Sequence, residues 1–121
     1  MDRDGVAEWL QRYVEAWKTY DPAKIGDLFS QDVLYRYHPY DEPVVGREAV
    51  VGSWLEDPDE PGTYEGTYEP FAVEGDVAVA VGHSSYRKDD GSVEVYDNCY
   101  VMRFDDAGRC LAFTEWFVKR P

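Results

Sequence analysis

The most informative segment begins with Trp9-Leu-Gln-Arg-Tyr-Val-Glu-Ala-Trp17, continues with Tyr20-Asp21-Pro22 and then reads Asp32-Val-Leu-Tyr-Arg-Tyr-His-Pro39. Apolar residues recur at helical spacing in its first part, which predicts a helix from about Asp4 to Tyr20. Asp21 suits the N-cap of a second helix and Pro22 its first position, and that helix would run to Phe29. The β-branched and aromatic run Val33–Tyr37 predicts a strand.

Beyond that segment, Gly46 begins a third helix that ends near Leu55. Turn residues then divide the rest of the chain into runs of strand composition. The predicted strands are Thr63–Val73, Val77–Arg87, Ser92–Phe104 and Arg109–Lys119. Helices followed by a meander of strands predict an α+β fold, with three N-terminal helices packed on one face of a curved antiparallel sheet. The length of 121 residues predicts one domain, residues 1–121.

This order of elements resembles the nuclear transport factor two-like superfamily, also called the SnoaL-like fold. The resemblance runs through the whole chain and implies a cone-shaped domain that encloses one pocket. Members of the superfamily commonly form dimers through the outer face of the sheet. The resemblance therefore implies a homodimer, for which Val101, Ala112, Thr114 and Trp116 would supply a partly apolar patch.

Composition excludes several classes of function. The net charge of −13, from 12 basic and 25 acidic residues, disfavours nucleic acids and anionic membrane surfaces as partners. No apolar leader or spanning run is found, so a cytoplasmic location is expected. Cys99 and Cys110 do not form a disulfide framework, and no structural-zinc spacing, phosphate loop or dinucleotide fingerprint occurs. We therefore expect neither a metal nor a cofactor.

Strand alternation selects the residues that face the pocket. Tyr96, Asn98 and Tyr100 share the more aromatic face of their strand, so they are placed inward. A tight turn at Asp105–Gly108 would pair Asn98 with Glu115 and Tyr100 with Phe113. A turn at Lys88–Gly91 would pair Arg87 with Ser92 and set His83 opposite Tyr96. His83, Tyr96, Asn98, Tyr100 and Glu115 would then form one inner patch, although one β-bulge would flip part of it.

Tyr20-Asp21, Tyr37, Gly82-His83 and Asn98 resemble positions of scytalone dehydratase, a family within the superfamily. The resemblance implies a catalytic pair in which Asp21 orients His83, water-holding tyrosines Tyr20 and Tyr37, and Asn98 as a substrate-orienting group. The second histidine of that family has no counterpart in Thr63–Val73. Asp21 could instead serve only as a helix cap, and His83 could be a structural histidine.

Arg12-Tyr13-Val14-Glu15-Ala16 and Arg103-Phe104 are similar to ketosteroid isomerase, another family of the superfamily. That resemblance implies an oxyanion donor at Tyr13, but the two aspartates of that family fall on Tyr37 and Tyr100. Tyr13 could equally pack in the core. Glu115 would have a raised pKa if it faces the pocket, which suits a general acid, or would be a surface charge if the register is off by one. The aromatic residues expected to line the pocket are Trp17, Trp54, Phe71, Tyr96 and Phe113, although such residues could equally fill the core.

The first functional hypothesis is a cofactor-independent acid/base lyase, isomerase or cyclase, similar to a dehydratase. It would act on a small, mostly apolar cyclic carbonyl compound, with His83 as base and tyrosines polarising the oxygen. A second hypothesis is non-catalytic binding of a lipophilic or aromatic metabolite, which needs only the aromatic lining. A third is a protein-interaction adaptor, in which the cavity would be closed or too small for a ligand.

Overall fold

The computed structural model describes the whole chain, residues 1–121. Three helices and six strands are arranged in an α+β fold, which confirms the predicted class. The helices are α1 (Arg3–Thr19), α2 (Pro22–Asp27) and α3 (Arg47–Glu56), and the strands are β1 (Phe29–Arg36), β2 (Val44–Val45), β3 (Tyr64–Glu74), β4 (Val77–Arg87), β5 (Val93–Phe104) and β6 (Cys110–Lys119). Helix α2 ends and β1 starts earlier than predicted, and the two-residue β2 was not predicted.

The helix ends are fixed by local sequence. Asp2 caps α1 by accepting a hydrogen bond of 2.8 Å from the backbone N–H of Gly5. Tyr20 ends α1 in the left-handed region at φ 49°, and its backbone N–H donates to the carbonyl of Ala16. Asp21 then caps α2 through a 2.9 Å hydrogen bond from the N–H of Ala23. The C-cap of α1 and the N-cap of α2 are adjacent residues, so the chain turns sharply between the two helices. Only Leu28 separates the end of α2 from the start of β1.

The strands form one sheet in the order β2-β1-β6-β5-β4-β3. All neighbouring pairs are antiparallel except β1 and β6, which are parallel. The strand pattern predicts a purely antiparallel sheet, and this pair is the exception. No hairpin joins β1 to β6, because α3 and the whole meander lie between them, so their relative direction is not dictated by a turn.

The helices cover the inner face of the sheet around a core in which 8 of the 19 buried residues are aromatic. Trp9 of α1 is at its centre, with ring centroids 5.5 Å from both Tyr13 and Phe104. Its indole N–H donates to the carbonyl of Leu28 at 3.0 Å, so this buried donor is satisfied. Phe113 of β6 stacks on Tyr35 of β1 at 4.6 Å and thereby ties the parallel pair to the core.

The register of β4 and β5 differs from the predicted one by a single residue. Arg87 pairs with Val93 rather than Ser92, and His83 pairs with Asp97 rather than Tyr96. The loop runs from Lys88 to Ser92, where the N–H of Lys88 donates to the carbonyl of Ser92 at 2.8 Å. Because side chains alternate along a strand, this one extra loop residue turns His83 to the outer face.

The register of β5 and β6 is shifted by two residues, which preserves the faces. Asn98 pairs with Phe117 and Tyr100 with Glu115, with an irregularity next to Phe104. The turn contributes one residue of this shift and the irregularity contributes the other. Asn98, Tyr100 and Glu115 therefore share the inner face as predicted, although their cross-strand partners differ.

No helix of the protein is both long and apolar enough to span a bilayer. Both cysteines are free thiols: Cys110 is buried on the inner side, and Cys99 lies on the outer face opposite Trp116.

Candidate functional site

A cavity of about 160 Å³ lies between the sheet and helices α1 and α3. Eight aromatic side chains form most of its wall. The lining residues are Tyr13, Trp17, Tyr20, Tyr37, Ser53, Trp54, Asp57, Asp59, Tyr68, Ser84, Tyr86, Asn98, Tyr100 and Glu115. An outer recess of about 360 Å³ shares Asp59, Ser84, Tyr86, Asn98 and Glu115 with the cavity and adds Lys88, Tyr96 and Phe117.

Most of the residues that the sequence assigned to the pocket are placed there by the structure. Tyr13, Trp17, Tyr20, Tyr37, Trp54, Asn98, Tyr100 and Glu115 all line the cavity. Tyr96 lies at the outer recess instead. Phe71 is 67% exposed and lines neither space, contrary to the prediction. Phe113 is fully buried behind the wall, where it packs on Tyr13 and Tyr100.

His83 is not in the cavity, contrary to the sequence-based placement. Its side chain is 62% exposed on the outer face of the sheet, and its Nδ1 lies 2.8 Å from Oδ1 of Asp97. Arg120 donates to both carboxylate oxygens of Asp97, at 2.8 and 2.9 Å. These hydrogen bonds, with a further one from His83, hold the pKa of Asp97 at about 2. The change of face follows from the one-residue register difference described above.

Asp21 does not pair with His83. It is exposed, and its carboxylate accepts the N–H of Ala23 at the start of α2. The two residues therefore have separate partners on different surfaces. A proton-transfer role for this pair has no structural basis, because the groups must be within hydrogen-bond reach of each other.

Glu115 is a titratable group that lines both the cavity and the outer recess. Its Oε2 accepts a hydrogen bond of 3.0 Å from the amide of Asn98, whose Oδ1 in turn accepts the hydroxyl of Ser84 at 3.0 Å. Ser84 and Asn98 are both buried, so this series of hydrogen bonds holds the Glu115 carboxyl group in one orientation. Burial raises the pKa of Glu115 to about 7, against the opposing effects of Asn98 and the charge of His38.

The tyrosines around Glu115 remain neutral hydrogen-bonding groups. Burial raises the pKa of both Tyr13 and Tyr100 well above the ordinary value, and the charge of Glu115 adds to the effect. The pKa of Tyr68 is raised to about 12, mainly by burial. These hydroxyls therefore stay protonated and can donate hydrogen bonds to a ligand oxygen at any physiological pH.

Two of the predicted catalytic tyrosines have their hydroxyl protons already engaged. Ser53 donates to the carbonyl of Val50 at 2.8 Å, so the 2.8 Å contact between Tyr37 and Ser53 must use the proton of Tyr37. Tyr20 donates to Oδ2 of Asp59 at 3.2 Å and accepts the N–H of Asp59 at 2.9 Å. Both phenols offer a ligand lone pairs rather than a free donor.

Trp54 provides the one buried donor in the cavity wall that has no acceptor. The residue is 8% exposed, its ring packs edge-on against Tyr13 at 5.3 Å, and its indole N–H makes no hydrogen bond. An unsatisfied buried donor costs about 1–3 kcal/mol. A ligand oxygen that accepts this N–H would remove that cost.

Sequence reasoning missed six lining residues, for two reasons. Ser84, Tyr68 and Tyr86 lie on strands whose predicted register was wrong or whose inner face the sequence did not define. Ser53 lies one turn from Val50 on α3, while Asp57 and Asp59 come from the loop after that helix, whose composition is typical of an acidic surface loop. The correct length of the β4–β5 turn would have identified Ser84 as an inner residue. The position of Asp57 and Asp59 over the cavity depends on tertiary packing of the loop after α3, so no local signal predicts it.

Two glycines, one on the strand of Tyr68 and one on the neighbouring strand β4, leave space for the Tyr68 side chain. A Cβ at Gly82 would clash with the carbonyl oxygen of Thr67 and would lie 2.6 Å from the ring of Tyr68. A Cβ at Gly66 would lie 2.6 Å from the hydroxyl of Tyr68 and 2.9 Å from Trp17. Glycine at these positions lets the Tyr68 ring lie against the strand surface and form part of the cavity wall.

No group of three or more His, Cys, Asp or Glu side chains is arranged to hold a metal ion. The site consists of the perturbed carboxyl group of Glu115 with an amide and a hydroxyl hydrogen-bonded behind it, the carboxylates of Asp57 and Asp59, and a wall of aromatic side chains with phenol and indole groups.

Helices packed on one face of a bent sheet, with a cavity between the layers, define a cone-shaped α+β domain of the nuclear transport factor two-like type. The family model described as "SnoaL-like domain" matches residues 10–113, and the chain belongs to that family. This confirms the resemblance drawn from the order of elements. No curated protein gives a significant match to the sequence.

Solved structures support the same fold at low sequence identity. A Δ5-3-ketosteroid isomerase from Mycobacterium sp. aligns with a TM-score of 0.70 at 14% identity, covering 96% of this chain and 98% of that one. An NTF-2 like protein of unknown function from Burkholderia xenovorans LB400 aligns with a TM-score of 0.70 at 18% identity, covering 98% and 88%. A computationally designed 17-OHP binder aligns with a TM-score of 0.70 at 16% identity, covering 93% and 95%.

Proposed function

We propose that this protein is a cofactor-independent acid/base enzyme, a lyase, isomerase or cyclase, that acts on a small cyclic carbonyl compound. Glu115 takes the proton-transfer role that the sequence pattern had assigned to His83. The observation that carries the proposal is the position of Glu115: it lies inside an aromatic cavity, one oxygen is fixed by Asn98, and its pKa is about 7. A general base or acid is most effective when its pKa is near the working pH.

The remaining groups would stabilise the oxygen of the substrate. Removal of a proton next to a carbonyl places negative charge on that oxygen, and fixed donors in a site of low polarity stabilise such charge. Trp54 has a buried N–H without an acceptor, and Tyr13 and Tyr100 are neutral phenols in the same wall. In this proposal the substrate oxygen accepts a hydrogen bond from Trp54 or from one of these phenols, while its α-carbon faces Glu115.

The size of the cavity favours a compact substrate. Its volume of about 160 Å³ is smaller than the roughly 300–1,000 Å³ of pockets that bury drug-sized ligands. A single-ring compound suits this space, and a larger substituent would extend into the outer recess. A ketosteroid, the compound for which the structurally similar isomerase is named, is therefore not the substrate proposed for this chain.

Proton exchange tests this function directly. We would incubate a panel of six-membered cyclic ketones and hydroxyketones with the protein in D₂O and follow deuterium entry at the α-carbon by NMR. General-base catalysis contributes roughly 10²–10⁴-fold, so Glu115→Gln should lower the exchange rate by about 100-fold or more. Glu69→Gln, which removes an exposed carboxylate on β3, serves as the matched control.

Equal exchange rates for the wild type and Glu115→Gln would contradict the proposal. Non-catalytic binding of an aromatic metabolite is the second candidate, since the aromatic wall alone supports it. Tight binding with no exchange in either protein would favour that alternative. The adaptor hypothesis has less support, because the cavity continues into a recess that shares five of its lining residues.

We also propose that two copies associate through the outer sheet face. Val101 and Trp116 are exposed there, at 37% and 43%. A single Trp on a face of small apolar residues suits a self-complementary contact. Sedimentation of the wild type should give a dimer and Trp116→Glu a monomer, while a monomeric wild type would contradict this part of the proposal.

A further inference from the structure

Every charged residue in the cavity wall is acidic. Asp57, Asp59 and Glu115 line the cavity, and no Lys, Arg or His does so. Glu115 has a pKa of about 7 and can be neutral, whereas no positively charged side chain forms an ion pair with either aspartate. The protein as a whole carries a net charge of −13. The field at this site therefore favours a cation over a neutral or anionic ligand.

Asp59 is held in place by neutral donors. Its Oδ2 accepts hydrogen bonds from the indole N–H of Trp17 at 3.0 Å and from the hydroxyl of Tyr20 at 3.2 Å. Its Oδ1 has no donor within the protein. The carboxylate is thus oriented without being neutralised, at the boundary between the cavity and the outer recess.

Aromatic side chains lie next to this carboxylate, because Trp17 and Tyr20 donate hydrogen bonds to it and Tyr86 lines both the cavity and the outer recess with it. The rings of Trp17 and Tyr86 lie 6.0 Å apart, and Tyr64 lies 4.5 Å from Trp17 and 6.4 Å from Tyr20. A cation within about 6 Å of an aromatic ring face is attracted by its quadrupole, and quaternary ammonium groups are recognised in this way. Aromatic rings beside an oriented carboxylate are the combination of groups that binds an ammonium ion.

Lys88, the basic residue in the outer recess, already forms an ion pair with Glu94. Lys88 lines the outer recess, but its Nζ lies 2.7 Å from Glu94, which also holds Lys119 at 2.6 Å. Lys88 is thereby fixed on Glu94 and is not hydrogen-bonded to Asp59. The carboxylate of Asp59 remains free for a cation that enters from solvent.

We infer that the ligand of this cavity carries a positively charged amine or quaternary ammonium group, which binds to Asp59 between the rings of Trp17, Tyr20 and Tyr86. The inference rests on the proposed function only for the cyclic ketone part of the molecule, which would face Glu115. The ligand class is therefore a small cyclic ketone with an ammonium group on the side that faces the entrance. This revises the mostly apolar ligand expected from the sequence.

A pair of isosteric probes separates charge from shape. The quaternary ketone 1,1-dimethyl-4-oxopiperidinium and the neutral 4,4-dimethylcyclohexanone have the same skeleton and differ at one atom. Titration calorimetry should show that the wild type binds the cation about 10-fold more tightly or better, as expected for a partly desolvated cation on aromatic rings beside a carboxylate.

Asp59→Asn is the decisive variant, because an asparagine oxygen can still accept the hydrogen bonds of Trp17 and Tyr20. The variant should lose most of the preference for the cation while its affinity for the neutral ketone stays the same. Tyr86→Leu, which removes one ring and leaves the carboxylate, should reduce the preference by a smaller factor. A thermal midpoint close to that of the wild type would show that each variant is folded.

Equal binding of the two probes by the wild type would overturn the inference, as would equal weakening of both probes in Asp59→Asn or no detectable binding of either. Glu115→Gln keeps this result separate from the proposed function. If Glu115→Gln retains the preference for the cation and the wild type exchanges no α-protons, the inference about the ligand stands and the proposed reaction fails.

Discussion

Replacement of Glu115 by Gln gives a pH signature that depends on the burial of this one carboxyl group. The raised pKa means that the folded protein binds the proton more tightly than the unfolded chain does. The stabilisation from protonated Glu115 is complete below its ordinary value of 4.5 and is lost as the pH rises through about 7. A difference of about 2.5 pK units corresponds to roughly 3 kcal/mol at high pH.

Gln keeps the shape of the side chain and can accept the same hydrogen bond from Asn98, but it does not ionise. We therefore expect Glu115→Gln and the wild type to have similar stability near pH 4.5. The variant should become more stable than the wild type between pH 4.5 and 7, by up to about 3 kcal/mol or roughly 10 °C in melting temperature.

Urea unfolding and thermal melts at several pH values between 4.5 and 9 measure this difference. Glu69→Gln controls for the removal of one acidic residue from the acidic chain, and its difference from the wild type should vary much less with pH. A stability difference for Glu115→Gln that is constant over this range would show that Glu115 is not buried as described. The acid/base role would then lose its physical basis.

Three further substitutions test other parts of the site. Trp54→Phe removes the N–H that lacks an acceptor. It should lower kcat/KM for ketone exchange, or ligand affinity, by about 10-fold, because one hydrogen bond to a partly charged oxygen is lost. An unchanged value would show that the N–H does not contact the ligand. His83→Ala should leave exchange within about twofold of the wild type, because its side chain lies on the outer face, and a loss of 100-fold would restore the dyad hypothesis. Gly82→Ala should destabilise the protein by about 3 kcal/mol in urea unfolding, because the new methyl group clashes with the carbonyl of Thr67. As its control, Gly52→Ala on α3 places the methyl group in open space and should stabilise the protein by roughly 0.5–1 kcal/mol.

Local sequence signals were sufficient for the order and approximate limits of the three helices and the four meander strands, but not for the start of β1 or for the two-residue β2. The helical spacing of Trp9, Tyr13 and Trp17 and the Asp21-Pro22 restart each act over a few residues, so the sequence contains their full physical cause. The meander strands were likewise bounded by turn residues on both sides. The parallel pairing of β1 with β6 could not be predicted from local sequence, because the two strands meet only through long-range contacts in the folded chain.

In the meander, the site residues were predictable only where errors in register cancelled. The two shifts between β5 and β6 left Asn98, Tyr100 and Glu115 on the inner face, whereas the single extra residue in the Lys88–Ser92 loop moved His83 to the outside. Strand alternation has a period of two, so an odd shift exchanges the faces and an even one does not. Asp59 shows a second limit, since an acidic loop residue becomes a site residue only when packing brings it over the cavity.

The family, the helix caps, the acidic character and the aromatic composition of this protein could all be obtained from its sequence, because each depends on residue identity or on neighbours within a few positions. Long-range packing instead set which carboxyl group is buried and which histidine is exposed. It also set which loop lies over the cavity and which indole N–H lacks an acceptor. Those properties depend on distances between residues far apart in the chain, and loop length, strand register and helix packing fix these distances together.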